Sequence, residues 1–411
     1  MKKLLAVLEG KKRNLSSSAI YLLLILLLAF IARIAYLNAI VGPNTYPSNI
    51  DSIEHHLIAQ NLVEGNGYSM YGHSTAYRAP FLTYFMALCY WIFGVNFAVV
   101  RIGIIIMSLL LIWVVYLLAQ ELFNGNVGIW AALIAAIYPH FIFYNSRIFT
   151  ETPFVLFSLL ALLFFVKFVK AESRRDLLLT ALFLALAILT RPVGFVLLFL
   201  ILLFILFKQR RWMSIKNASV LLVTVIIFIS PWIVRNYLVF KRFVPVTTQG
   251  AVVVWVGNNH YVAHHPLLRG GHALYQYLPG ARKLITDSEI ERSHYAFVQF
   301  LDFLRQYPKD IPILIWNKTV RFWEKEFITG SSRRWMYEFS YLFIIIFAVA
   351  GLVLSLASHK KEAIYLLMLF VANFIPALIF WSGARIRLPA EPVFILFAAF
   401  CLEKIRGRII R

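Results

Sequence analysis

TYPSNIDSIEHHLIAQNLVEGNGYSMYGHSTAYRAPF, residues Thr45–Phe81, is the stretch on which the reading of this chain turns. It is polar and rich in turn residues, and it stands between two apolar runs, Ala19–Val41 and Phe81–Phe93. It carries Asp51, Glu54, His55, His56 and Glu64, then Gly65 and Gly67, then Arg78 and Pro80. Asp51 and Glu54 are three residues apart, which puts them on one face of a helix. Acids beside a bilayer are costly and point to function before packing.

The surroundings are those of a membrane protein. Of 411 residues 61% are hydrophobic and only 14% charged, and the mean hydropathy is +0.76. Such a composition excludes an ordinary soluble domain. The net charge of +21 reads as cytoplasmic loops rich in Lys and Arg, not as a nucleic-acid surface. Cys89 and Cys401 both lie in apolar runs and are not expected to pair. The first apolar run is long enough to span and lacks a small-residue cleavage site, so no cleaved signal is expected.

Ten spans are expected from about 20 apolar residues each: Ala19–Val41, Phe97–Phe123, Val127–Asn145, Thr152–Lys170, Leu177–Thr190, Pro192–Phe207, Ser219–Trp232, Tyr341–Ala357, Ala363–Trp381 and Pro392–Ile405. Parity decides the role of Phe81–Phe93. The basic segments at Lys2–Arg13, Lys167–Arg175, Lys208–Lys216, Lys360–Lys361 and Lys404–Arg411 all fall inside only if that run does not cross. It is therefore read as an aromatic interfacial helix. Both termini are then cytoplasmic, and the polar stretches 42–96, Asn145–Thr152, Thr190–Val193, Arg235–Glu338 and Gly383–Glu391 share the outer face. The organisation expected is a transmembrane module over 1–235 that includes the loop 42–96, an extracytoplasmic region over 236–338, and C-terminal helices over 339–411. In the middle region, PVTTQGAVVVWVGNN (Pro245–Asn259) predicts short strands from its β-branched residues. Asp287–Arg305 predicts a helix ended by Tyr307-Pro308, and Ile311–Phe327 an amphipathic helix on the membrane. The fold class is thus an all-α polytopic membrane protein with a small mixed α/β extracytoplasmic region.

Three constellations could carry chemistry. Asp51 is a candidate general base for an acceptor hydroxyl; equally, Asp51 with Glu54 matches a capping box at a helix start. Glu54, His55 and His56 are candidates to orient the acceptor. A metal held by Glu54 and a histidine stays open, although adjacent histidines point about 100° apart on a helix and cannot both ligate one ion. Glu151, in NSRIFTETP, either caps the next helix or serves as a second carboxylate that orients the acceptor or holds a metal. The third set is Arg78, Arg147, Arg191, Arg235, Arg385 and Arg387. Each alone is explained by snorkelling. Together on the outer face they could bind a departing phosphate bidentately.

In their order along the chain these motifs resemble the GT-C glycosyltransferases, in particular the branch of lipid-A aminoarabinose transferases and protein O-mannosyltransferases. The resemblance rests on Asp51, Gly65, Gly67, Arg78, Pro80, Phe93, Gly94 and Arg101, on LTRP at Leu189–Pro192, on SPWIVRNYLVFKRFVPVTTQG at Ser230–Gly250, on Gly257-Asn258-Asn259 and on the closing ARIRLPAEP. It covers nearly the whole chain. It implies a polyprenyl-phosphate-linked sugar donor, an extracytoplasmic active site, Asp51 as catalytic aspartate and Glu151 as second acid. The chain departs from many relatives at Ser52, where they carry an acid. The function expected is an inverting transfer of a sugar to a lipid, glycan or protein acceptor in the plasma (inner) membrane. Arg78, Arg191, Arg235, Arg385 and Arg387 would hold the donor phosphate, no nucleotide would be needed, and a divalent metal would be optional. Two rivals are a flippase for a lipid-linked saccharide and a non-catalytic assembly subunit. A flippase calls for charges at mid-membrane and broken helices in paired positions, whereas these charges gather at one face.

Overall fold

The computed structural model describes residues 17–208, 211–274, 277–278, 280, 288–325, 334–358 and 362–409. The basic cluster Lys2–Arg13, Gln209, Asp287, Lys360–Lys361 and Arg411 lie outside the described residues.

All ten expected spans fold as helices. In chain order, α1 is Ser17–Tyr36, extended by a wider turn over Leu37–Val41; the polar loop then forms α2, Ile50–Val63, and a hairpin of β1, Ser69–Met70, and β2, His73–Ser74. Next come α3 Pro80–Phe93, α4 Phe97–Leu122, α5 Gly125–Ile137, α6 Pro139–Asn145, α7 Glu151–Ala171, α8 Arg174–Thr190, α9 Gly194–Lys208 and α10 Arg211–Phe240. The outer region supplies α11 Gly250–Gly257, α12 His260–His264, α13 Glu289–Gln306 and α14 Asp310–Trp323. The chain closes with α15 Arg334–Ala357, α16 Ala363–Ile379, the short α17 Ala384–Arg387, and α18 Glu391–Ile409.

Five helices are long and apolar enough to cross a membrane, and α5 with α6 makes a sixth if counted as one span bent by 60°. The bend falls at Pro139, which cannot supply the next amide and clashes with the preceding turn. The 17 residues of α8 reach about 26 Å at 1.5 Å per residue, so this helix is marginal by length alone. With α9 it replaces what reads as one long apolar run, split at Arg191-Pro192 as the proline requires. Helix α3 is 14 residues long and leaves Trp91, Ile92 and Phe93 exposed, as an interfacial helix would.

The core lies between α4, α5, α7, α8 and α18. Small residues on α5 (Ala131, Ala132, Ala135, Ala136) are fully buried and let neighbouring backbones come close. Gly351 does the same where α15 meets α18: a Cβ there would stand 1.9 Å from the carbonyl oxygen of Phe397. Two buried arginines fix loop and bundle. Arg33 donates to the Ala29 and Ala136 carbonyls at 3.1 and 3.0 Å. Arg101 donates to the Pro43 and Thr45 carbonyls at 2.7 and 2.6 Å, which ties the start of the polar loop to α4.

Two local expectations are corrected. The cap of α2 is Asn49, whose Oδ1 accepts the Asp51 amide at 2.9 Å. Asp51 lies inside the first turn, so the capping-box reading fails and its carboxylate is free for other partners. The outer region is not mixed α/β among the described residues. Gly250–Gly257, expected as strand, is helical because Val252, Trp255 and Val256 pack in one cluster with Ala296 and Phe303 of α13. Helical spacing of that buried face overrides β propensity. The two-residue hairpin pairs Ser69 with Ser74 and Met70 with His73 and sits in the first loop instead. Helix α13 starts at Glu289, capped by the Ser288 hydroxyl, which accepts the Glu291 amide at 3.2 Å.

Candidate active site

One end of the bundle closes around a cavity of about 330 Å³. Five separate pieces of chain meet there: α2 with the strand-to-α3 turn, the corner before α7, the Arg191-Pro192 corner, the start of α11, and the α16–α17 link. Most of the wall is apolar and a few charged groups point in, as in sites that hold small ligands.

The charged groups form one chain of ion pairs. Arg78 Nη2 is 2.8 Å from Asp51 Oδ1, and the same guanidinium binds Glu54, with Nε 2.5 Å from Oε2. Arg385 Nη1 is 2.7 Å from the other Asp51 oxygen, Oδ2, and its Nε is 2.5 Å from Glu151 Oε1. Arg191 Nη1 reaches the same Glu151 oxygen at 3.1 Å. The chain of pairs Glu54–Arg78–Asp51–Arg385–Glu151–Arg191 thus joins residues up to 334 positions apart in a single network of three acids and three arginines. Arg78 and Arg385 each bridge two acids through different nitrogens, so the planar guanidinium holds geometry as well as charge.

Local structure explains each placement. Asp51 and Glu54 share one face of α2, as their spacing dictates. Ala79, directly before Pro80 at the start of α3, is extended as the proline requires, and Arg78 beside it reaches Asp51 and Glu54 on α2. Arg191 sits at the end of α8 and Glu151 in the first turn of α7. Arg385 is on α17, behind Gly383, whose φ of +151° turns the chain in from α16.

The network sets the protonation states. Burial raises the Asp51 carboxyl, but the guanidinium groups of Arg78 and Arg385 outweigh it and hold the group well below the usual range. Glu54 moves the other way: burial pushes it up, against the pull of Arg78. Burial alone would lower Arg385, but Glu151 and Asp51 hold it firmly charged. His55 is pushed down to about 3, first by burial and then by Arg78, so it is neutral. Its Nδ1 lies 2.6 Å from the Thr83 hydroxyl. His56 is buried with Nδ1 3.1 Å from the Tyr90 hydroxyl.

The predicted residues therefore divide. Asp51, His55, Arg78, Arg191 and Arg385 line the cavity. Glu151 does not: it is fully buried behind Arg385 and Arg191, placed to position those arginines. His56 stacks edge-on to Phe97 and Tyr46, inside the packing between α2 and α4. Glu54, His55 and His56 do not converge as a metal group, and the cluster of that kind among the described residues lies elsewhere. Arg235 and Arg387 also stand apart. Arg235 donates to the Thr75 and Tyr68 carbonyls at 2.6 and 2.8 Å. Arg387 is fully buried, binds Glu391 at 3.1 Å, and donates to the Phe322 and Glu324 carbonyls, both at 2.7 Å. Both bind the chain's own backbone, so the structure gives them the work of staples. Arg147 lies over the Phe143 ring, 3.8 Å from its centroid.

The cavity also gains residues that the sequence did not mark. Gln249 offers Oε1 to Arg78 Nη1 at 3.4 Å. Tyr77 and Asn373 line the wall. His272 packs against Trp381, with ring centroids 4.5 Å apart and planes tilted by 47°. Gln249 belongs to the TTQG motif, a signal that was visible without a role; His272 and Trp381 meet only through tertiary folding.

A second cavity, of about 540 Å³, lies beside α3. Phe81, Tyr84, Phe85 and Leu88 line one wall, and Phe228, Pro231, Trp232 and Arg235 of α10 line the other.

Comparison with known proteins agrees with this architecture. Residues 77–234 match the family described as dolichyl-phosphate-mannose-protein mannosyltransferase. Among curated proteins none matches the chain. The archaeal oligosaccharyltransferase AglB from Archaeoglobus fulgidus, solved with an inhibitory peptide and a dolichol-phosphate, is similar at 16% identity with a TM-score of 0.55; the match covers 94% of this chain and 50% of that one. The same enzyme tethered to an acceptor peptide gives a TM-score of 0.58 at 16% identity, over 94% and 50%. ArnT from Cupriavidus metallidurans bound to undecaprenyl phosphate reaches a TM-score of 0.47 at 14% identity, over 95% and 77%, and at that score carries no weight. The chain spans about half the length of the archaeal enzyme. At these identities the likeness is one of fold, and this polytopic membrane protein, predominantly helical among the described residues, has the fold of the GT-C glycosyltransferases.

Proposed function

We propose that this chain is an integral membrane glycosyltransferase that moves a sugar from a polyprenyl-phosphate-linked donor to a hydroxyl acceptor at the extracytoplasmic face. The observation that carries the reading is Arg385, which bridges Asp51 and Glu151 at the wall of a ligand-sized cavity. An acid for the acceptor and a cation for the leaving group stand side by side, as the reaction requires. The match to a dolichyl-phosphate-mannose family over 77–234 and the dolichol-phosphate held by the archaeal enzyme support a lipid-phosphate donor.

The reaction we infer is an inverting displacement. The acceptor hydroxyl attacks the anomeric carbon, its oxygen bonds to that carbon, and its proton passes to Asp51. The bond from the anomeric carbon to the phosphate oxygen breaks, and the phosphate leaves from the opposite side, so the configuration inverts. Arg385, with Arg78 and Arg191, stabilises the growing charge on the phosphate. Both oxygens of Asp51 are paired with guanidinium groups before substrate arrives, and a carboxylate so paired is a weak base. A donor phosphate competes for the same guanidinium groups. When it draws Arg385 away, Asp51 loses a partner and gains basicity beside the acceptor, so donor binding arms the base. The apolar second cavity along α3 would take the lipid tail. A divalent ion at Asp51 would first have to displace a guanidinium, and no step here runs through one.

The test is transfer by the purified, full-length protein in detergent, with a labelled polyprenyl-phosphate sugar and no ion gradient. Transfer that depends on Asp51 supports the reading. Binding of the lipid donor with no transfer to any hydroxyl acceptor would instead favour a carrier of lipid-linked saccharides.

A further inference from the structure

Away from the cavity, three side chains with metal-ligating chemistry converge in the outer region. His260 and His264 are the first and last residues of α12, one turn apart, so their imidazoles share a face. Asp310 opens α14. Its Oδ2 lies 2.7 Å from Nδ1 of His260 and its Oδ1 2.9 Å from Nε2 of His264. One ligand atom from each residue falls within 4.8 Å of the others, the single group of this kind among the described residues.

The local fold holds all three in place. Asn259 caps α12 by accepting the Val262 amide at 2.9 Å. The Asp310 amide donates to the Tyr307 carbonyl at 3.0 Å, which closes the turn through Pro308. The His260 ring stacks on Tyr307, with centroids 4.5 Å apart and planes 25° from parallel. The carboxylate is nearly buried at 8% exposure, while the two imidazoles are open to solvent at 55% and 51%. A fixed anion is thus faced by two adjustable imidazoles, with an open side for an ion to come in.

We propose that His260 Nδ1, His264 Nε2 and Asp310 form a binding site for a zinc-class divalent cation. Two histidines, one carboxylate and a water make a tetrahedral set, with bonds of about 2.0–2.2 Å. Those bonds at tetrahedral angles set the ligand atoms about 3.3–3.6 Å apart, so from 2.7 and 2.9 Å each imidazole needs to withdraw from its carboxylate oxygen by less than about 1 Å. Imidazole with a carboxylate suits zinc better than the harder magnesium or calcium.

The consequence of such a site is mechanical. Helix α12 follows directly on Gly257 and Asn258, which lie against the end of α16. A Cβ on Gly257 would stand 2.1 Å from the Phe380 carbonyl oxygen. Asn258 Nδ2 donates to the Ile379 carbonyl at 2.8 Å. From α14, Lys318 Nζ donates to Asn258 Oδ1 at 2.6 Å and to the Leu378 carbonyl at 3.0 Å. Phe380 and Trp381, just beyond, line the catalytic cavity, as do Gly250, Val253 and Val256 of α11. A cation joining α12 to α14 therefore locks the outer cover of the cavity, and His260, His264 and Asp310 act as positioning residues. The site does not depend on the glycosyltransferase reading, because its test measures metal and not transfer.

The experiment uses the full-length protein in detergent, stripped with a chelator and titrated with Zn2+ alone. Bound metal is read by equilibrium dialysis with elemental analysis, and unfolding by thermal scans with and without zinc. The wild type is expected to take up one zinc per chain more than His264→Ala or His260→Ala/His264→Ala, and zinc should raise its unfolding temperature but not theirs. Both histidines are half exposed, so these variants are expected to fold. Asp310→Asn, which keeps the size of the side chain, should weaken zinc at least tenfold. Equal zinc uptake and equal thermal response in wild type and double variant would overturn the proposal and leave the three residues as a hydrogen-bonded triad.

Discussion

Replacing Arg385 by lysine tests the centre of the site most directly. Arg385 serves two acids at once, Asp51 Oδ2 at 2.7 Å through Nη1 and Glu151 Oε1 at 2.5 Å through Nε. A lysine ammonium is a single point charge on a flexible stem and cannot reproduce that fork. Whichever acid it leaves loses a charge-assisted hydrogen bond. Glu151 is the more exposed to loss: it is fully buried, its Oε2 has no hydrogen-bond partner among the described residues, and Arg191 at 3.1 Å would be its remaining cation. A lost bond to a charged group costs about 1.5–3 kcal/mol, below the roughly 3–5 kcal/mol for removing a buried partner outright, because the positive charge stays. Arg385→Lys should thus lower the unfolding temperature measurably, so the variant is not expected to be neutral for stability. Turnover should fall further, by about 10²–10³-fold, the scale for losing one preorganised donor to transition-state charge. The donor's KM should change less, since charge on the phosphate grows toward the transition state. The assay is single-turnover transfer from a labelled lipid-phosphate sugar, alongside thermal unfolding. Wild-type turnover in this variant would refute the assignment of the leaving phosphate to Arg385.

Four further outcomes are expected. Asp51→Asn keeps the side chain's shape, removes its charge, and should reduce transfer by about two to four orders of magnitude in a folded protein; near-normal transfer would remove Asp51 from the reaction. Because its carboxyl is held below the usual range, after burial is outweighed by Arg78 and Arg385, the stability it confers is present above the unfolded value of about 3.9 and is lost as pH falls through the lower folded value. Thermal scans of wild type and Asp51→Asn should therefore differ at neutral pH and converge in strong acid. Arg387→Lys should act as a fold mutation, since Arg387 holds Glu391 and two backbone carbonyls; a turnover defect at unchanged unfolding temperature would return it to the phosphate site. Cysteines placed at Gly72 and Ser288 should label from outside intact cells while one at Gln209 does not, and the reverse pattern would invert the proposed sidedness.

Much of this was legible in the sequence because it is local or periodic. Apolar runs near 20 residues fix where helices form, since an unpaired backbone is intolerable in lipid. Pro192 marks where the long apolar run Leu177–Phe207 breaks, whereas the bend at Pro139 inside the expected span Val127–Asn145 was not foreseen. The three-residue spacing of Asp51 and Glu54 fixes their common face, and the strongly aromatic Phe81–Phe93 reads correctly as a short helix at the bundle's end. The order of motifs was enough to reach the GT-C fold.

Only the tertiary structure separated residues that look alike in sequence. Arg385 and Arg387 are two positions apart in one motif, yet one lines the cavity and the other is buried among backbone carbonyls. On a helix two residues point about 200° apart, and sequence does not reveal which side meets the cavity. Glu151 reads as a second acid at the membrane face, but its depth behind two arginines depends on how α7, α8 and α17 pack. The helix at Gly250–Gly257 reads as strand because Val and Trp favour strands, and it folds as helix because α13 offers an apolar face that matches its helical repeat. His260, His264 and Asp310 are separated by up to 50 residues, and their meeting is set by the angle between α12 and α14. Chain-local preferences determine which elements form; side chains from distant elements converge through packing, and packing energy belongs to pairs of surfaces that no single stretch of sequence contains.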